Sequence, residues 1–169
     1  MVSFCQSGGF QLKPKLKRLQ DLQEDIYGQL QLLIPDDISF YDHLCSRIHG
    51  SPLLRLQVLE RHSYTTFFRL TYEFRGSEVP NFAPDAHIRY YHDARLAEAT
   101  SFDCEQACRR SSLPEFPNRQ AMQKAWRENR ALDRWLNYLL HQGHSVETMK
   151  AAPQPAATVI SKVDKAFAE

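Results

Sequence analysis

Apolar residues recur at every third or fourth place between Pro14 and Leu33, where Leu16, Leu19, Leu22, Ile26, Leu30 and Leu33 form one stripe. That period predicts an amphipathic helix. Pro14 suits its first turn, and Pro35 ends it because an internal proline removes a backbone donor and clashes with the preceding turn. Gly28 weakens the middle by about 1 kcal/mol, less than a packed stripe returns. A second stripe, Met122, Ala125, Trp126, Leu132, Trp135, Leu136, Leu139 and Leu140, predicts a long C-terminal helix. It follows Asn118, a good N-cap, and stops at Gly143, a residue suited to the place just past a helix end.

Between the two helices the period falls to two. The segment "LLRLQVLERHSYTTFFRLTYEF" holds two runs rich in aromatic and β-branched residues around a turn near Arg61 to Ser63, which predicts a hairpin. In its second arm Thr66, Phe68, Leu70, Tyr72 and Phe74 share the face expected to point inward. Thr65, Phe67, Arg69, Thr71 and Glu73 share the other. Residues 38–49 mix both periods and are read as a short strand and a turn, and "GSEVPNFAPD" (76–85) reads as a loop by its glycine and prolines. In "IRYYHDARLAEA" (88–99) a reversal about Asp93 and Ala94 sets Arg89 opposite Glu98 and Tyr91 opposite Leu96 on one face. Ile88, Tyr90, Ala97 and Ala99 then share the core face.

These elements imply an α+β fold in which an antiparallel sheet of four to five strands packs against the N-terminal and the long C-terminal helix. One domain is expected over residues 1–145. Residues 146–169 read as an Ala/Pro-rich flexible tail, with Val159, Ile160, Val163 and Phe167 on one face of a short amphipathic helix. The 169 residues, 43% hydrophobic and 24% charged, suit a single globular core. Lys and Arg number 21 against 20 Asp and Glu, so no global field draws the chain onto a polyanion. No run approaches the roughly 20 apolar residues of a bilayer span. The apolar start precedes its basic cluster, the reverse of a signal peptide, so a cytoplasmic protein is expected.

Four blocks in fixed order carry a resemblance: "YTTFFRL" (64–70), "IRYYHDARLAEA" (88–99), "FPN" (116–118) and "NRALDRWLNYLLHQG" (129–143). Together they resemble the YqiB-like family of small bacterial cytoplasmic proteins over roughly residues 15–143. The chain departs from that pattern before Trp135, where Arg134 stands in place of an acid and Asp133 lies one position earlier. The resemblance implies a shared fold unit and a cytoplasmic setting, and it assigns no activity.

Chemistry concentrates in the 88–99 segment. Arg89 and Glu98 have the spacing of a cross-strand ion pair, and Asp93 sits where a turn favours it, which leaves His92 without a structural task. Parity puts His92 on the face opposite Arg89 and Glu98, so a general acid–base cluster there requires the turn to bring the groups round. Arg89, Tyr91, His92, Asp93 and Glu98 are therefore read as a binding site for a protein partner or a small anionic ligand, with no catalytic residues and no cofactor. The second reading is a nucleic-acid-associated factor using Lys13, Lys15, Lys17 and Arg18 with Arg109, Arg110 and Arg119. A hydrolase at the hairpin ranks third. Cys104 and Cys108 have helical spacing but no second pair to complete a zinc knuckle, so they read as free thiols. No phosphate loop, nucleophile elbow or metalloprotease motif occurs.

Overall fold

The structure is a computed structural model, and it describes residues 14–74, 81–103 and 117–152. Helix α1 (Pro14–Leu33) leads through a 3₁₀ turn (Ile38–Phe40) to strands β1 (His43–Ser46), β2 (Leu53–Arg61), β3 (Thr65–Phe74), β4 (Asn81–Tyr91) and β5 (Leu96–Asp103). Helix α2 (Pro117–His141) and strand β6 (Met149–Ala151) follow. The strands form one six-stranded sheet in the order β5-β4-β3-β2-β1-β6. Every neighbouring pair is antiparallel.

The α+β class stands, with six strands instead of four to five. The additional strand, β6, comes from the stretch read as tail and pairs Met149–Ala151 with Leu44–Ser46. Three residues are too short to show a period, so only their partner reveals them. Two other segments also differ from the sequence reading. Ile38–Phe40 is a 3₁₀ turn with the strand beginning at His43, and residues 81–85 belong to β4 instead of a loop. Pro84 lacks an N–H, and the β3–β4 register shifts where it lies, between the Thr71–Asp85 and Glu73–Phe82 pairs. A proline can thus sit inside a strand at a bulge. Lys13, Cys104, Cys108, Arg109, Arg110 and the 159–167 patch lie outside the described residues.

One face of the sheet is covered by both helices. Ile26, Leu30 and Leu33 from α1 and Leu132, Leu136 and Leu139 from α2 are fully buried with Leu54, Leu56, Phe68, Leu70 and Ile88 of the sheet. Each such side chain contributes about 1.5–3 kcal/mol by leaving water. Tyr27 of α1 stacks on Tyr90 of β4 with centroids 4.6 Å apart. The ends of the predicted stripes escape the core: Leu16 is 40% and Phe74 is 42% exposed. The opposite face is uneven. Thr71 and Glu73, expected to face solvent, are buried. Arg55 closes on the Glu73 carboxylate in an ion pair, and Phe82 of the early-starting β4 sits opposite Glu73.

The C-terminus of α2 shows how a cap positions a core residue. The Gly143 N–H donates to the Leu140 carbonyl at 3.0 Å and the His144 N–H to the Leu139 carbonyl at 3.1 Å. Gly143 has φ +95°. This paired reversal with a left-handed glycine is a Schellman motif. It turns the chain so that His144 enters the core, where Nδ1 meets Ser46 Oγ at 2.7 Å and Nε2 meets the Tyr72 hydroxyl at 3.0 Å. Thr148 Oγ1 joins Ser46 at 2.7 Å. The ring thereby satisfies hydroxyls from β1 and β3 that would otherwise be buried without partners. Burial pushes the His144 pKa down and, as the largest cause, raises the Tyr72 hydroxyl to about 12.

Gly143→Ala should destabilise the fold by about 1 to 2 kcal/mol in urea unfolding, because an alanine is strained at that backbone angle. His144 is neutral in the folded protein, with its pKa below the ordinary 6.5 of the unfolded chain. The unfolded state therefore binds the extra proton first, and stability contributed by this ring is complete above pH 6.5 and declines as the pH drops from there toward the folded value. Urea midpoints measured from pH 8 to pH 5 should fall more steeply for the wild type than for His144→Gln.

Candidate binding face

The hairpin register places the candidate residues. Arg89 pairs with Glu98, Tyr90 with Ala97 and Tyr91 with Leu96. Ile88, Tyr90, Ala97 and Ala99 are buried beneath the helices, so pleat alternation turns Arg89, Tyr91 and Glu98 to the opposite side. Among the described residues no helix covers that side. A bulge at Thr100 separates this register from the His87–Ser101 pair.

Arg89, Tyr91 and Glu98 form a connected group. The Tyr91 hydroxyl donates to Glu98 Oε1 at 2.8 Å, and Gln23 of α1 donates to Oε2 at 3.4 Å. Arg89 Nη1 lies 3.5 Å from Oε1, with 47% of its side chain exposed. The Arg89 guanidinium sits 6.0 Å from the centre of the Phe67 ring, its neighbour on β3. A guanidinium over an aromatic face is held partly by the ring quadrupole. The oxygen of Tyr91 is the largest cause raising the Arg89 pKa, while burial works against it. Burial is in turn the largest cause raising the Tyr91 hydroxyl. Arg89 is thus a permanent cation whose carboxylate partner is already engaged twice by other donors.

An open hollow of about 400 Å³ lies beside this group, lined by Glu60, His62, Thr65, Phe67, Arg89 and Tyr91. Glu60 reaches the site because β2 carries an extra residue between Val58 and Glu60, which brings Glu60 opposite Phe67. Its carboxylate lies 3.3 Å from His62 Nε2. Neither Glu60 nor His62 was singled out in the sequence. A bulge leaves no mark in a two-residue period, so nothing in the chain alone assigns them to this face.

His92 has a structural task after all. Its Nε2 meets Thr66 Oγ1 at 2.8 Å, its N–H donates to the Tyr64 carbonyl at 2.9 Å, and its ring packs edge-on against Tyr90 at 5.0 Å. The ring is therefore on the inner side with Thr66, away from Arg89 and Glu98. Asp93 accepts from the Ala94 N–H at 2.8 Å and stabilises the turn, which is closed by Arg95 at φ +52°. The five candidates thus split: Arg89, Tyr91 and Glu98 share a surface, whereas His92 and Asp93 build the reversal. Among the described residues the His92 ring meets a hydroxyl and no carboxylate.

Large apolar side chains crowd the same end of the sheet. Phe40 is 86% and Tyr64 is 66% exposed. Phe40 is presented by the 3₁₀ turn, which Arg61 fastens to β2: its Nε donates to the Ser39 carbonyl at 2.7 Å and its Nη2 to the Tyr41 carbonyl at 2.8 Å. Tyr64 occupies the β2–β3 turn directly before Thr65, the cross-strand partner of Tyr91. Among the described residues no group of three or more His, Cys, Asp or Glu side chains can hold a metal ion. Nor is any helix there long and apolar enough to cross a membrane.

The central strands, the β4–β5 hairpin and α2 fall within a family match. A family model described as "Protein of unknown function (DUF1249)" matches residues 29–145, from the last turns of α1 to the residue after His144. The uncharacterized protein YqiB of Escherichia coli is 27% identical over 133 residues, which cover 77% of this chain and 89% of YqiB. YqiB from two further Escherichia coli strains gives the same figures. No solved structure gives a significant match. The matched span holds β1 to β5, all of α2 and the histidine that ties α2 to the sheet, and on that correspondence the chain belongs to the DUF1249 family of YqiB-like proteins.

Proposed function

We propose that this protein is a small binding module that docks a protein partner on its uncovered sheet face. The observation that carries the reading is the state of Arg89. It is half exposed, held over Phe67, and in only long contact with a carboxylate that Tyr91 and Gln23 already occupy. A carboxylate arriving from a partner finds a pre-oriented guanidinium with free donors, and little rotamer freedom is left for Arg89 to lose.

The surroundings favour a protein over a small anion. The hollow beside Arg89 is shallow and also carries Glu60, which repels an isolated anion. Phe40 and Tyr64 expose large apolar surface at the same end of the sheet. Exposed aromatics beside an arginine form the composition of an interface centre, where a few such residues supply most of the binding energy. In this reading Arg89 and Tyr91 select an acidic group, Tyr64 and Phe40 supply apolar area, and His92 and Asp93 hold the turn in shape.

The test compares wild type with Arg89→Ala and Tyr64→Ala as immobilised baits in extract, alongside thermal unfolding of each. Arg89 is half exposed and its one ion pair is long, so its removal should cost no more than about 1 kcal/mol of stability. A protein retained by the wild type should drop at least about tenfold on each variant, the effect of losing an interface hot spot. Equal retention by all three baits, or collapse of Arg89→Ala folding, would return these residues to a purely structural role. If the retained species were instead a small anion, seen as a ligand-induced rise in Tm with no protein bound, the partner reading would fail while Arg89 remained its contact.

A further inference from the structure

A second surface lies on the helix side of the molecule, between the start of α1 and the second and third turns of α2. Gln29 of α1 donates to Asp133 of α2 at 2.7 Å, while Lys15 and Arg18 of α1 face Met122, Gln123, Trp126 and Arg127 of α2. The helices therefore run side by side in the same direction and diverge enough to leave an open groove of about 510 Å³ between these residues. Lys15 and Arg18 stand three places apart and share one face of α1, as Met122 and Trp126 share one face of α2. The floor is a tryptophan and a methionine, and the rim is cationic.

The basic rim does not stop at the groove. Arg127, Arg130 and Arg134 fall at successive helical positions i, i+3 and i+7, which makes one stripe along α2, and all three are exposed. Among the described residues none of Lys15, Arg18, Arg127, Arg130 and Arg134 has a carboxylate within ion-pair distance; Glu128, the nearest acid on α2 in sequence, engages Lys124 at 3.8 Å. Neither helix carries an acidic residue in its first turn, where the helix dipole favours one. Lys15 thus lies in the first turn of α1, where the backbone field disfavours a cation, and the like charges along α2 repel one another; an external anion relieves both.

We infer that this groove binds single-stranded nucleic acid, with Trp126 as the stacking surface for a base and Lys15, Arg18 and the α2 arginine stripe along the phosphates. An aromatic flanked by a track of cations is the arrangement by which strands are held without sequence readout. The groove is open instead of enclosing, so it suits a polymer that gains affinity from repeated contacts more than a free nucleotide, which requires burial on most sides. The near-neutral net charge confines the attraction to this local track.

Tryptophan fluorescence supplies the test, because Trp126 lines the groove whereas Trp135 is only 8% exposed in the core. Titration of the full chain with an oligothymidine or oligouridine of about a dozen nucleotides should quench emission, and the affinity should fall linearly on a log–log plot against salt. Arg18→Glu and Arg127→Glu should each weaken binding about tenfold and flatten the salt slope by about one contact. Trp126→Phe should remove most of the quench. Lys150→Glu, on the far edge strand, should change nothing. The inference is overturned if folded Arg18→Glu and Arg127→Glu bind as the wild type does, or if no strand binds at low salt. It is likewise overturned if polyglutamate displaces the strand at equal charge concentration and Trp126→Ala leaves affinity intact, since the occupant would then be an acidic protein. A mononucleotide binding as tightly as the strand would also refute it.

Discussion

Pleat parity is the constraint on which the rest of this structure depends. Two helices cover one face of the sheet, so each strand must send alternate side chains into a dry layer and the others away from it. In the β4–β5 hairpin that rule buries Ile88, Tyr90, Ala97 and Ala99, and in doing so forces Arg89, Tyr91 and Glu98 onto the uncovered side. A one-residue slip would place an arginine and a glutamate under α1 and α2, at a cost no surface pair could offset. The candidate interface is therefore a by-product of the core in its placement, and independent of the core only in which residues stand there.

That dependence explains which features were legible in the sequence. Both helices, the β2–β3 hairpin and the Arg89–Glu98 register follow from periodicity and turn chemistry, because burial of one face writes itself into spacing. The features that escaped depend on partners distant in the chain. β6 is a strand only because β1 lies beside it. Glu60 and Phe67 face each other only because β2 holds one residue more than β3 between its pairs. Thr71 and Glu73 alternate as surface residues should, yet Arg55 and Phe82 close over that end. His92 has no task in the sequence because its contact with Thr66 is known only once the strands are stacked, and the contacts of His144 with Ser46 and Tyr72 are equally distant in the chain.

The molecule thus offers two unlike surfaces set by two unlike rules. The sheet face is mixed in charge, with Arg69 held through Nε and Nη2 by Asp85 and Arg55 by Glu73, so most of its ions are internally settled and Arg89 stands out. The helix groove is of one sign and lined by Trp126. Lys15 and Arg18 also lie before residue 29, where the family match begins, whereas Arg89, Tyr91 and Glu98 lie well inside it. The sheet face is consequently built wholly from the shared unit, and the groove joins that unit to residues outside it.

Asn129 gives the sheet a further property. From the middle of α2 its Oδ1 accepts the outward N–H of Ala99 at 3.0 Å, while its Nδ2 donates to Ala125 on its own helix at 2.8 Å. A helix thereby blocks the ladder of the outermost strand at the point where an incoming strand would have to zip on. The opposite border is only three residues long. Lateral growth of the sheet by another chain, the usual hazard and the usual opportunity of an open β-border, is closed at one margin and stunted at the other.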